Sequence, residues 1–232
     1  MTWLSDNLQR LTLTEEVEDY LLGRGAKEET IAREGFKTWT PSDKPVEDDI
    51  FRERYGDHGE ALDGWLVCPA YSPKGNLIAA EIRNIQEKKV AKINLADTNW
   101  NPYFLGLKSG MEKIWNGADI WIVEGVFDLF ALEWGISDKN VVLATGGAHL
   151  MMRHVTFLKR FCSGWVCMAY DQDDPGQKAT HGWKKKGKKV FGALESLQRL
   201  GIPCREIKYR GKDPGVIWDQ GGEEAIKAAF PI

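Results

Sequence analysis

The sequence predicts an α/β protein in which a parallel sheet flanked by helices follows a smaller α+β unit. From Asp119 onward, short apolar runs alternate with stretches of helical spacing, the pattern of successive βαβ units. Before that point, 65–71 and 77–85 read as two strands about the turn Ser72-Pro73-Lys74-Gly75-Asn76, a hairpin and not a crossover. With 232 residues, 43% of them hydrophobic and 28% charged, the chain can bury a substantial core without disulfide or metal staples.

The elements follow in order. Thr12 and Glu15 have capping-box spacing, and Leu13, Val17, Tyr20 and Leu21 share one helical face. Gly23 and Gly25 end that helix, and 27–34 reads as a second short one. Residues 41–59 are acidic and hold two prolines, which predicts a linker or surface loop. Beyond the hairpin, strands are expected at 120–123, 141–144, 165–170 and 204–209, and helices at 127–134, 150–161, 175–200 and 223–230. The expected organisation is a helical lead-in with an acidic loop over 1–60, a small α+β subdomain over 61–115 and the sheet domain over 116–232.

Charge narrows the function classes. The net charge of −3 excludes a uniformly basic coat protein, but its distribution is uneven. Residues 1–60 carry 8 basic and 15 acidic side chains, whereas 181–232 carry 11 and 6. No apolar run reaches the roughly 18 to 20 residues of a membrane span, and the N-terminus lacks the pattern of a signal peptide. Cys68, Cys162, Cys167 and Cys204 show no CxxC spacing, so reduced thiols and no zinc site are expected, in a cytoplasmic protein.

Two of the expected strands run directly into acids, Glu124-Gly125-Val126-Phe127-Asp128 and Asp171-Gln172-Asp173-Asp174-Pro175-Gly176. In open parallel sheets ligands collect at the carboxyl ends of strands. Asp128 falls one helical turn beyond Glu124, and an extended backbone would point Asp171 and Asp173 the same way. Either group alone is ordinary, since Asp before Pro-Gly commonly caps a helix or shapes a turn. Together, on separate strands of one series, they make an oxygen-rich rim suited to Mg²⁺ or Mn²⁺.

The pair Glu124-Gly125-x-x-Asp128 and Asp171-x-Asp173-x-x-Gly176 resembles the TOPRIM domain of primases, topoisomerases and related nucleases. The flanking residues resemble a bacterial-type or phage primase catalytic core: Tyr20-Leu21-x-x-Arg24-Gly25, Gly75-Asn76-Leu77-Ile78 with Glu81-Ile82-Arg83, Ala91-Lys92-Ile93-Asn94, Phe104-Leu105-Gly106-Leu107 and Lys212-Asp213-Pro214. The resemblance spans about residues 13–230. No zinc-binding module is found ahead of the core and no helicase module after it, and the acidic segment 41–60 has no counterpart.

The resemblance implies a nucleotidyltransferase that makes short primers on single-stranded DNA from NTPs or dNTPs, with two divalent ions. Asp128, Asp171 and Asp173 would be ligands, Glu124 a further ligand or the base that takes the hydroxyl proton, and Asp213 a residue that reaches the same rim. Arg83, Lys92 and Asn94 would face the metals from the smaller unit and contact triphosphate or template, with Lys178 joining them. A replicative helicase or a zinc-module protein would act in trans. A TOPRIM nuclease or a non-catalytic single-strand-binding accessory would be built from the same acids.

Trp183-Lys184-Lys185-Lys186-Gly187-Lys188-Lys189 is the strongest basic signal. Within the expected helix 175–200, Ala179, Trp183, Val190, Leu194 and Leu197 share one side, and Lys184, Lys185, Lys188 and Lys189 point outward as a candidate nucleic-acid surface. Trp65, Trp121 and Trp165 fall in strand patterns and are expected in the core, as are Trp39 and Trp100, whose irregular segments leave base stacking as the alternative. His149 and His154 lack a third ligand that would make a metal pair of them.

Overall fold

The computed structural model describes residues 3–46, 49–87, 89–94 and 104–230, and within them every side chain except those at 3–5, 50, 91–94 and 185. Two four-stranded sheets and a separate two-stranded ribbon organise it. The chain opens with α1 (Trp3–Arg10), α2 (Glu15–Gly23) and α3 (Glu28–Glu34), then forms β1 (Lys37–Thr38) and α4 (Asp49–Tyr55). Next come β2 (Leu66–Tyr71), β3 (Leu77–Arg83) and β4 (Val90–Asn94), which with β1 make an antiparallel sheet in the order β1-β2-β3-β4.

The second half begins with α5 (Leu107–Trp115), β5 (Ile120–Val123), α6 (Val126–Leu132), β6 (Val141–Ala144), α7 (Met152–Phe161) and β7 (Val166–Met168). It continues with α8 (Asp174–His181), β8 (Gly182–Lys185), β9 (Lys188–Phe191), α9 (Ala193–Arg199), β10 (Cys204–Glu206) and α10 (Pro214–Ala229). The sheet β10-β7-β5-β6 is parallel throughout.

Strands β5, β6 and β7 are apolar at every position because both faces are covered, whereas the edge strand β10 carries Arg205 and Glu206. Successive side chains point to opposite faces, so Ile120 and Ile122 join Leu107, Phe157 and Leu197 in one core while Trp121 and Val123 join Leu21, Phe130 and Ile217 in the other. That second core also contains Leu66, Cys68 and Ala70 of β2, so one continuous apolar mass holds the antiparallel sheet against the parallel one. A third core, with Leu8, Trp39, Val46, Phe51 and Leu62, covers the other face of β2 and β3.

The structure corrects several expectations. The predicted capping box at Thr12 does not form: Thr14 is the N-cap of α2, without a side-chain cap bond, and its hydroxyl lies 2.9 Å from that of Thr38. Residues 41–59 are not a plain linker, because α4 places Phe51 against Trp39, ring centroids 5.8 Å apart. Trp39 is fully buried and donates its indole N–H to the Gly59 carbonyl at 3.0 Å; Trp100 lies outside the described residues. Trp165 is 49% exposed, just ahead of β7, with the Arg205 guanidinium 5.9 Å from its ring.

The largest correction concerns 175–200. The chain leaves α8 after His181 and forms the β8–β9 ribbon before resuming as α9. Lys186 and Gly187 carry φ of 49° and 78°, the left-handed pair of a two-residue hairpin turn. At the base the two strands touch so closely that a Cβ on Gly192 would stand 2.3 Å from the Gly182 nitrogen. The lysines therefore lie on a ribbon, where Lys184 pairs with Lys189 and Lys185 with Lys188.

Phe51→Ala tests whether α4 is part of the fold. We expect a loss of about 3 kcal/mol in a urea titration; a change within about 0.5 kcal/mol would instead mark 41–59 as a solvated tether.

Candidate active site

The acids converge because backbone hydrogen bonds tie the loops that follow the strands of the parallel sheet. Glu124 follows β5, and its carbonyl accepts from the Gly147 N–H at 3.0 Å, joining it to the turn after β6. Beyond β7, the Gln172 N–H donates to the Lys212 carbonyl at 2.8 Å and the Tyr209 hydroxyl donates to the Tyr170 carbonyl at 3.1 Å. Those two bonds draw Asp213, at the head of α10, toward Asp171.

Asp128 is the fastener of this rim. One of its oxygens accepts from the Gly125 N–H at 3.0 Å, the other from the Gly215 N–H at 3.1 Å. A single buried carboxylate thereby binds the start of α6 to the start of α10. Asp213 and Asp173 are the N-caps of α10 and α8, accepting from Val216 at 2.7 Å and Gly176 at 3.1 Å. Asp174, beside Pro175, is the first residue of α8 and not its cap. Strand β7 ends at Met168, so Asp171 and Asp173 are not alternate positions of a strand.

Crowding is visible in the titration of the group. Burial, and then repulsion from the neighbouring acids, holds Asp171 up at about 8. Burial and the nearby Asp128, Asp173 and Asp213 push Glu124 up to about 7, against a hydrogen bond from the Asp171 backbone that lowers it. Asp128 rises to about 6, chiefly through burial and Asp213. The Lys212 ammonium answers part of this charge, 3.8 Å from Asp213 and 3.9 Å from Asp173.

Glu124 and Asp171, Asp128 and Asp213 border a cleft of about 440 Å³ between the two four-stranded sheets. Glu124 Oε1 and Asp171 Oδ1 are buried and have no hydrogen-bond partner. Hard, uncompensated oxygens of this kind are the donors that Mg²⁺ or Mn²⁺ takes. Gly176 keeps the space open beside them, since a Cβ there would stand 2.2 Å from the Asp171 carbonyl oxygen and 2.9 Å from Glu124 Oε1. Among the described residues no three Asp, Glu, His or Cys side chains enclose an ion as they stand, because Asp173 and Asp213 each turn an oxygen to a helix N-terminus.

The opposite wall is cationic. Arg83, at the end of β3, is ion-paired with Glu81 and lies 5.2 Å from the Phe127 ring centroid. Arg24 stands 4.9 Å from that ring and is ion-paired with Asp219. Lys89 and Lys212 also border the cleft. Lys92 and Asn94 lie on β4, in register with Glu81 and Ala79, with side chains outside the described ones. Lys178 is exposed on α8, away from the cleft-lining residues. Arg24, Phe127, Lys89, Lys212 and Asp219 were missed as site residues. Arg24 and Lys212 stand inside quoted motifs, whereas nothing local in the sequence marks Phe127 or Asp219.

The two histidines do not meet as a pair. His154 is buried in α7 against Phe104, centroids 4.5 Å apart, and His149 stacks on Trp183 at 6.1 Å.

Residues 121–214, which carry the parallel sheet and its acidic rim, match the Toprim-like family model. The fold as a whole is similar to that of solved DNA primase catalytic cores. A DNA primase of Deinococcus radiodurans is 25% identical over 233 residues, an alignment covering 91% of this chain and 39% of the relative. The chain thus spans about two fifths of the length of that relative. The Escherichia coli primase catalytic core superposes with a TM-score of 0.62 at 20% identity, over 98% of this chain and 75% of that one. A DNA primase domain from Pseudomonas aeruginosa gives 0.65 at 18% identity, over 97% and 76%.

The raised carboxylates set the sign of the pH response. Glu124, Asp128 and Asp171 hold protons in the folded chain up to about 7, 6 and 8, well above their unfolded values. The folded state therefore binds more protons in that window, and stability falls as pH rises through it. The metal-free protein should melt at steadily lower temperature between about pH 5 and 9. Added Mg²⁺ or Mn²⁺ should restore more stability at the upper end than at the lower, because the ligands must be deprotonated. A melting temperature independent of pH would contradict the crowding.

Proposed function

We propose that this chain is the catalytic core of a DNA primase, a nucleotidyltransferase that joins NTPs or dNTPs into short primers on a single-stranded DNA template. The observation that carries this reading is the cleft itself: partnerless buried carboxylate oxygens on one wall face guanidinium and ammonium groups on the other.

In this reading Glu124, Asp128, Asp171 and Asp213 would hold two Mg²⁺ or Mn²⁺ ions, with Asp173 contributing the oxygen not used in its cap. Such ions, when bound, stabilise both the entering and the leaving oxygens of a phosphoryl transfer. Arg83 and Lys89 hold the triphosphate of the incoming nucleotide, and Lys92 and Asn94 extend that phosphate-binding surface; Lys178, outside the cleft lining, has no part in it. Glu124 would be a further ligand or, where it is not one, the base that accepts the proton of the attacking 3′-hydroxyl. Asp128 acts chiefly as the positioning group that keeps the two halves of the rim together. Lys184, Lys185, Lys188 and Lys189 bind nucleic-acid phosphates.

The division of labour follows the sheets, with 61–115 presenting nucleotide and template and 116–232 carrying the acids. A zinc-binding module or a replicative helicase would be supplied in trans, and the place of action would be the cytoplasm, that of the host for a viral chain. Among the described residues, no helix is long and apolar enough to cross a membrane.

The test is incubation of the protein with single-stranded DNA, nucleotides and Mg²⁺ or Mn²⁺. New short oligonucleotides support the reading; shortened template would point to a nuclease, and retention without reaction to a binding protein. Glu124→Gln and Asp171→Asn should each lower primer synthesis at least about 100-fold while leaving the circular-dichroism spectrum unchanged. Normal priming by both variants would overturn the site.

A further inference from the structure

The β8–β9 ribbon has no role in the core and a composition unlike the rest of the chain. Residues 182–192 hold five lysines and no acid. The ribbon forms a sheet of its own, and Lys184, Lys186, Lys188 and Lys189 are all exposed. An isolated two-stranded hairpin is marginal in water, so its placement depends on its base. There Trp183 stacks on His149 at 6.1 Å, two residues after the Gly146-Gly147 turn that borders the cleft. At the other end of α8, eight residues away, Asp173 caps the helix at the acidic rim. The ribbon is thus anchored beside the site at two points.

Its form indicates which nucleic acid it fits. Lys184 and Lys189 are cross-strand partners and share a face, Lys188 falls on the opposite face, and Lys186 is at the tip. A single strand offers one row of phosphates, which one basic face could follow. Cations on both faces and the tip instead match the two rows of phosphates that a duplex presents. Single-strand sites also rely on aromatic side chains for base stacking. Here each ring already has a cation or a ring as neighbour: Phe191, 42% exposed, lies under the Arg199 guanidinium at 3.7 Å and near the Lys189 ammonium at 5.4 Å, and Trp183 stacks on His149. Lys189 is further tied to Glu195 at 2.6 Å, which leaves Lys184, Lys186 and Lys188 as the ammonium groups directed at a partner.

We propose that the β8–β9 ribbon is an arm that grips both backbones of the primer–template duplex as it leaves the cleft, and is not a binding surface for the single-stranded template. The inference rests on the primer-synthesis reading above, and it specifies which nucleic acid the lysines hold.

The test is binding of the full chain, without nucleotides, to a short RNA–DNA hybrid and to the matching single-stranded DNA across a salt series. The variant is Lys184→Gln/Lys186→Gln/Lys188→Gln, and Lys74→Gln/Lys139→Gln/Lys208→Gln controls for net charge. For the hybrid, the slope of log affinity against log salt should shrink by about 2 to 3 in the ribbon variant and far less in the control. Single-strand affinity should stay within about twofold of the control, and longer primers should become scarce relative to the shortest products. Equal losses on hybrid and single strand, or no loss on either, would overturn the arm. A wild-type chain that shows the hybrid contrast and makes no primer would uphold the arm and overturn the synthetic reading.

Discussion

Carboxylates packed into one cleft repel one another, and that repulsion is the constraint around which this molecule is arranged. Burial removes the water that would otherwise screen them, so the charged forms of Glu124, Asp128 and Asp171 are all disfavoured. Such a cluster persists only if the rest of the fold over-determines it. Here the four loops after the parallel strands are tied in pairs by backbone hydrogen bonds, and the head of α10 is fastened to α6 through both oxygens of Asp128. The stability of the two cores sustains an arrangement that is unfavourable by itself and becomes favourable when a cation is present.

The same fold supplies the opposite wall. Because Leu66, Cys68 and Ala70 share a core with Trp121 and Val123, the antiparallel sheet is pressed against the parallel one, and the end of β3 overhangs the acids. Phe127 makes this junction specific. Its ring lies between the guanidinium groups of Arg24 and Arg83, which are paired in turn with Asp219 and Glu81. Each arginine is oriented before any ligand arrives, which lowers the ordering cost of binding one.

Much of this was legible in the sequence, for identifiable reasons. Strands β5 and β6 were read to the residue, because a strand covered on both faces is an uninterrupted apolar run with polar ends. The acids at Glu124, Asp128, Asp171 and Asp213 were legible because parallel topology sends every strand end to one edge. The ribbon was not. Lysine is a good helix former, and Ala179, Trp183, Val190, Leu194 and Leu197 fall on one helical side by coincidence of spacing. The deciding information lay in Lys186-Gly187 and in Gly182 and Gly192, whose turn and close strand contact no helix requires. Segment 41–59 was misjudged because its acids outweigh Val46 and Phe51, the two residues that bury it. The pairing of Phe127 with two arginines depends on contacts between distant elements and leaves no local pattern.

The central claim is that acids distant in sequence form one divalent-cation site. It is tested most directly by titrating the protein with Mn²⁺ at about pH 8, at the upper end of the range in which these carboxylates hold protons, and following the free-ion signal by electron paramagnetic resonance. The account predicts that the wild-type chain withdraws about two equivalents of Mn²⁺, and that Glu124→Gln and Asp171→Asn, correctly folded, leave most of that signal in solution. Equal uptake by wild type and both variants would contradict it.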